Sequence, residues 1–217
     1  MSVTTRADPT LSAAVLAGGM SRRMGVDKAL LPLRPGDPPL ARVVVDRVRR
    51  VAGEVFVVAN ERPGYKAFGV PVVPDRYPDG ATLGGVATAL EVAAADVCLV
   101  VACDMPFLNV DLLRWMADQP RDYDVLVPRV PGESRQGSGF IYQTLHAIYR
   151  KSCLPAIQWH LSAGRRQVIG FFPDVTVREV DDDQLQRFDS EGWSFFNANT
   201  PEAANVAREH LTSLDRP

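Results

Sequence analysis

The sequence predicts an α/β fold, a mostly parallel sheet with helices on both faces. Three observations predict it. Short apolar runs rich in valine alternate with segments of helical spacing. The runs are apolar at nearly every position, as strands covered on both sides must be. Each of the first four runs is followed by Gly, Asn or Asp, the residues that turn a chain out of a sheet.

The elements follow in order. Ser12 to Ala17 is short and apolar, stops at Gly18-Gly19, and reads as a buried strand. Leu40, Val43, Val44, Val48 and Val51 recur at helical spacing, and Gly53 breaks the run. Glu54 to Ala59 is a second strand ending at Asn60; Val70 to Val73 is a third, closed by Pro74 and Asp75. Gly84-Gly85 precede an Ala-rich helix, VATALEVAAA. Val97 to Ala102 is a continuously apolar fourth strand, Asp111 to Ala117 a helix, and Tyr123 to Val127 a fifth strand. Beyond residue 128 the pattern loosens. Arg129 to Gly139 reads as a loop or flap, and Leu145 to Ser162 as a helix interrupted at Pro155. Val175 to Val180 reads as a strand, Asp181 to Asp183 as a solvated turn, and Trp193 to Asn197 as a late strand. Thr200-Pro201-Glu202 opens a last helix, with Thr as its cap.

At 217 residues and 46% hydrophobic, the chain is expected to form one domain over 1–217 with an ample core. Residues 1–10 are expected as a frayed lead-in and 129–217 as a less regular portion. A net charge of −2 argues against a general nucleic-acid binder. No apolar run approaches the ~18 residues of a membrane span, and the polar start carries no secretory signal. Cys98, Cys103 and Cys153 are sparse and odd in number, without CxxC spacing, which fits a cytoplasmic protein rather than a disulfide framework.

The chemistry concentrates in Leu16 to Leu33, LAGGMSRRMGVDKALLPL. Gly18 and Gly19 lack a Cβ, so their amides can approach phosphate oxygens. Arg22 or Arg23 can fork onto an anion, and Lys28 supplies a point charge. The arrangement suits a triphosphate. It is neither a GxxxxGK[ST] loop nor a GxGxxG turn. In open α/β sheets ligands bind outside the carboxyl ends of the strands, where this chain places Gly18-Gly19, Asn60, Asp75 and Asp104.

This stretch resembles the signature of the molybdenum cofactor guanylyltransferases, LAGGxSxRMGxDKxLL, at every fixed position from Leu16 to Leu31. VACDMPFL, Val101 to Leu108, is similar to the family's cDxPxL box, and NANTPE, Asn197 to Glu202, to its late N-x-N-T-P-E motif. Leu83-Gly84-Gly85 resembles part of its GPLAG loop, with Ala81 and Thr82 in place of Gly and Pro. The family's hPLxAxY stretch is met by Thr144-Leu145-His146-Ala147-Ile148-Tyr149, without the proline. The resemblance runs from about residue 12 to 210.

It implies a Rossmann-like nucleotidyltransferase fold and Mg²⁺-dependent transfer of GMP from GTP to molybdopterin or its molybdenum-loaded form, with release of pyrophosphate. It implies Leu16, Ala17, Gly18, Gly19, Lys28, Asn60, Asp75, Gly85 and Asp104 at the nucleotide. Lys28, Arg23 and Asp104 would carry catalysis, with Asp104 as the magnesium ligand and Asn197 and Asn199 toward the acceptor. A molybdenum enzyme or a cofactor-delivery protein would receive the product. Two other readings compete. One is the same reaction with CTP or with a sugar-phosphate acceptor; Gly18 and Ser21 favour guanine and molybdopterin over these. The other is a non-catalytic nucleotide-binding cofactor carrier, which predicts loss of Lys28 or Asp104, and both are present.

Overall fold

The computed structural model describes residues 7–17, 27–60, 63–132 and 139–215. Four strands build a parallel half-sheet: β1 (Asp8–Leu16), β2 (Ala52–Val58), β3 (Val72–Val73) and β4 (Val97–Ala102). Leu16 stands in register with Val58 on one side and Ala102 on the other. The second half adds β5 (Val125–Pro131), β6 (Phe140–Tyr142), β7 (His146–Arg150) and β8 (Val177–Val180). The order is β3-β2-β1-β4-β7-β5-β6, with β8 parallel to β5. β7 is antiparallel to both of its neighbours, so β5 points the same way as β1 and β4.

Helices cover both faces, as the doubly apolar strands require. On one side α1 (Leu40–Val48), α3 (Val110–Ala117) and the short α5 (Asp182–Gln186) pack on Ala13, Val15, Leu99 and Val101. On the other, α2 (Ala81–Val92) and α4 (Leu154–Ser162) pack on Ala14, Val58, Cys98 and Val100. Successive residues of β1 and β4 thus face opposite layers, following the period of two of a strand. The last helix, α6 (Pro201–Leu214), buries Ala207 in a smaller cluster with Leu33, Leu40, Phe107 and Ala198. No helix among the described residues is long and apolar enough to cross a membrane.

Several expectations are corrected. The first strand starts at Asp8, inside the presumed lead-in, because the Asp8 amide donates to Val51 O at 2.7 Å. Residues 129–131 extend β5 rather than opening a loop; they pair with β6, and Gly132 N donates to Gly139 O at 3.0 Å. His146–Arg150 is strand, not helix. Its alternation sends Ala147 and Tyr149 to one layer and Ile148 to the other, and it satisfies the open edge of β4. Pro155 stands in the first turn of α4, where a missing N–H costs nothing, instead of interrupting a helix. Asp181 is exposed, as a solvated turn implies, but it also caps α5 in a reciprocal box with Gln184. The late strand is a 3₁₀ turn, Trp193–Phe195. It follows a left-handed Gly192, and the Asp189 carboxylate accepts from Trp193 N at 3.0 Å and Ser194 N at 2.6 Å. The last helix starts as expected, with Thr200 Oγ1 accepting from Ala203 N at 3.1 Å.

Candidate active site

The parallel strands end together, and their hydrogen bonds continue past the last strand residues. Ala17 N donates to Val58 O at 3.0 Å, Ala59 N to Val73 O at 2.9 Å, and Cys103 N to Leu16 O at 3.1 Å. Ala17, Asn60, Asp75 and Asp104 therefore leave the sheet along one edge. Such an edge is where an open α/β sheet presents a ligand crevice.

Asp104 follows β4 and is half-buried; its main-chain carbonyl accepts from Ala198 N at 2.8 Å. That bond brings the CDMP turn against the NANTPE segment, 94 positions later in the chain. Asn197 and Asn199 thus flank the residue bonded to Asp104. Asn197 Nδ2 is turned back onto Phe195 O at 2.9 Å, which makes its first task the shape of that turn; Asn199 is exposed. Asn60 is exposed directly after β2.

Asp75 is tied to its own loop and to α2. Its Oδ1 accepts from Tyr77 N at 2.9 Å and from the fully buried Thr88 hydroxyl at 2.8 Å. Its Oδ2 takes no part in either bond. Gly85 is not in a loop: the whole Ala81-to-Gly85 segment lies inside α2. A Cβ on Gly85 would fall 3.0 Å from Leu16 Cδ1, so glycine lets the helix press against the end of β1. Gly84 does the same toward the preceding loop, where a Cβ would fall 2.4 Å from Tyr77 O. Gly18, Gly19 and Arg23 lie outside the described residues, as does the side chain of Lys28. The main chain of Lys28 opens a 3₁₀ turn, Lys28–Leu30, just after Asp27.

The same edge carries charged residues that the linear sequence did not single out. β5 and β8 end on it, and Arg129 Nη1 meets Glu179 Oε2 at 3.0 Å. The Tyr142 hydroxyl also donates to Glu179, and that bond, helped by burial, holds the Tyr142 phenol above its ordinary pKa. The Arg129 guanidinium stacks 4.5 Å from the Phe140 ring centre. The usable signal was a cation at the end of an apolar run, V-L-V-P-R, which the loop reading of 129–139 hid. At the start of β7, His146 is fully buried against Phe195, with ring centres 4.8 Å apart. Neither of its ring nitrogens has a hydrogen-bond partner among the described residues.

No group of three or more His, Cys, Asp or Glu among the described residues could cage a metal ion. The Asp104 carboxylate at the end of β4 does fit Mg²⁺ held jointly with substrate phosphates, the usual habit of that hard ion.

Known proteins resemble this chain in sequence and in fold. Residues 13–177 match the family model of the MobA-like NTP transferase domain. A probable molybdenum cofactor guanylyltransferase of Pelotomaculum thermopropionicum is 40% identical over 194 residues, 89% of this chain and 90% of that protein. A protein of the same description from Carboxydothermus hydrogenoformans is 37% identical over 191 residues, covering 88% and 91%. Among solved structures, molybdopterin-guanine dinucleotide biosynthesis protein A from Archaeoglobus fulgidus superposes with a TM-score of 0.76. It is 23% identical, with 93% of this chain and 99% of that one covered, and so attests the fold. With a family model matched over most of the chain and a relative 40% identical over 89% of it, this chain belongs to the family of MobA-like NTP transferases.

Proposed function

We propose that this protein transfers GMP from GTP to the terminal phosphate of molybdopterin, or of its molybdenum-loaded form, releasing pyrophosphate. The observation that carries the site assignment is a chain of two main-chain bonds. Leu16 O accepts from Cys103 N, and Asp104 O accepts from Ala198 N, so three sequence boxes meet at one sheet edge. The names of the two bacterial relatives support the choice of guanylyl transfer.

In this reading a terminal phosphate oxygen of the acceptor forms a bond to the α-phosphorus of GTP. The bond from that phosphorus to the bridging oxygen breaks, and pyrophosphate departs with the electron pair. A phosphate monoester is already largely ionised near neutral pH, so the step requires no protein base. The obstacle is repulsion between anions, which positioned cations and amide dipoles relieve. The amides of Gly18 and Gly19, with Arg23 and Lys28, hold the triphosphate beside Leu16 and Ala17. Asp75 offers Oδ2 to the nucleoside, Asn60 faces the guanine edge, and Gly85 keeps α2 against Leu16. Asn197 and Asn199 shape the acceptor side. Asp104 would hold Mg²⁺, which supplies charge neutralisation on the phosphates when bound. The cytoplasm suits this synthesis, because three sparse cysteines without CxxC spacing do not make a disulfide framework.

The test is pyrophosphate release with molybdopterin and each of the four nucleoside triphosphates. GTP is expected to support turnover well above CTP. Lys28→Ala and Asp104→Ala are each expected to lower it by at least ~10²-fold with folding intact, the scale of lost preorganised charge. A preference for CTP would overturn the base assignment; near-normal turnover in either variant would remove that residue's role.

A further inference from the structure

The turn that carries Lys28 is held from a neighbouring loop. Asp27 stands at its head. Its main-chain carbonyl accepts from Leu30 N at 3.0 Å, and its Oδ1 accepts from Ala29 N at 3.1 Å. The other carboxylate oxygen, Oδ2, accepts from the Tyr65 hydroxyl at 2.6 Å. Tyr65 belongs to the loop that leaves β2 beyond Asn60. Its side chain is 2% exposed, and its ring lies 4.7 Å from that of Phe68. One residue earlier, Gly64 adopts φ 97°, and a Cβ there would fall 3.1 Å from Leu30 Cδ1. The loop therefore closes on the Lys28 turn twice, by packing at Leu30 and by a charge-assisted bond at Asp27.

A lysine presents its charge from wherever its main chain is held, and these two contacts hold the turn that contains Lys28. A bond from a buried hydroxyl to a carboxylate is short, strong and shielded from water.

We propose that Asp27 and Tyr65 are positioning residues for nucleotidyl transfer: their bond clasps the loops leaving β1 and β2 and fixes the main chain of Lys28 against the triphosphate. This rests on the reading of Lys28 as a phosphate ligand. Because Asn60 opens the Tyr65 loop, the clasp also joins the base side of the site to its phosphate side.

The test is a double-mutant cycle. Tyr65→Phe deletes one hydroxyl and keeps the ring. Its turnover with GTP is expected to fall about tenfold, the scale of one hydrogen bond to a charged group, with the protein still folded by circular dichroism. In a Lys28→Ala background the same change is expected to cost nothing further. Asp27→Asn, which keeps an oxygen acceptor, is expected to recover most of the turnover that Asp27→Ala loses. Wild-type turnover in Tyr65→Phe overturns the proposal. So does an equal loss whether or not Lys28 is present, since a merely structural role predicts that additivity. If Lys28→Ala alone leaves turnover and GTP affinity intact, the reading of Lys28 fails and the clasp with it. A large Lys28→Ala effect with additive Tyr65→Phe removes the clasp alone.

Discussion

At His146 a titratable ring sits in an apolar layer beside Phe195, and burial pushes its pKa down from 6.5 to about 4. The unfolded chain protonates this histidine near its ordinary value, while the folded chain resists until about pH 4. The stability tied to this group is whole above about pH 6.5 and is lost as the pH falls toward 4, with no further loss below. The amount is of order 3 kcal/mol. Asp124 acts in the same direction. Burial raises its pKa, but Ser152, the Thr176 amide and Arg150 outweigh that and hold it low, so acid removes its contribution too. His146→Leu is expected to flatten the loss of stability between pH 7 and 5 in urea unfolding. It is also expected to stabilise the neutral protein by about 1–2 kcal/mol, because it removes two buried ring nitrogens that have no hydrogen-bond partner among the described residues. An unchanged acid slope would show that another group carries it. The environment of His146 was illegible in the sequence. Its ring is buried only because β7 fills the gap between β4 and β5.

The entry into α2 shows how an element can carry local strain. Ala81 adopts φ 50°, the one positive φ outside glycine among the described residues, and it stands where the family's loop has Gly. A left-handed L-residue costs roughly 1–2 kcal/mol, part of which glycine returns through its floppier unfolded chain. Ala81→Gly is therefore expected to raise stability by about 0.5–1 kcal/mol in thermal denaturation. Gly84→Ala is expected to lower it by about 1–3 kcal/mol, because the new methyl meets the Tyr77 carbonyl, which cannot swing aside. The strands at 54–59 and 97–102 were legible because burial on both faces writes a continuous apolar run. Residues 146–150 were not, although the helix that follows, Leu154–Ser162, was. His-Ala-Ile-Tyr-Arg alternates weakly, and only the unpaired edge of β4, distant in sequence, decides that it is strand. The turn at 193–195 depends likewise on the Asp189 carboxylate rather than on its own aromatic residues.

Across the whole molecule, the site is a property of where strands stop. Asn60, Asp75 and Asp104 could be read as candidates because polar residues that end buried strands share an edge in any parallel sheet. Tyr65 could not, since its partner Asp27 lies 38 positions earlier and neither loop has a periodic pattern. In the proposed reading, Mg²⁺ is held by Asp104 jointly with the substrate phosphates and so belongs to the substrate complex. Chelation with EDTA is therefore expected to stop nucleotidyl transfer while leaving the thermal midpoint unchanged, and added Mg²⁺ to restore it. A midpoint that fell with chelation would place a structural ion in the fold. The place of β7 has an outcome during synthesis as well. Every strand of the parallel half is translated by residue 102, yet the segment that seals β4 begins at residue 146. For the time it takes a ribosome to add those intervening residues, a nascent chain holds a bare, valine-lined ribbon edge open to its neighbours. That interval is when this protein is most exposed to sticking to other copies of itself.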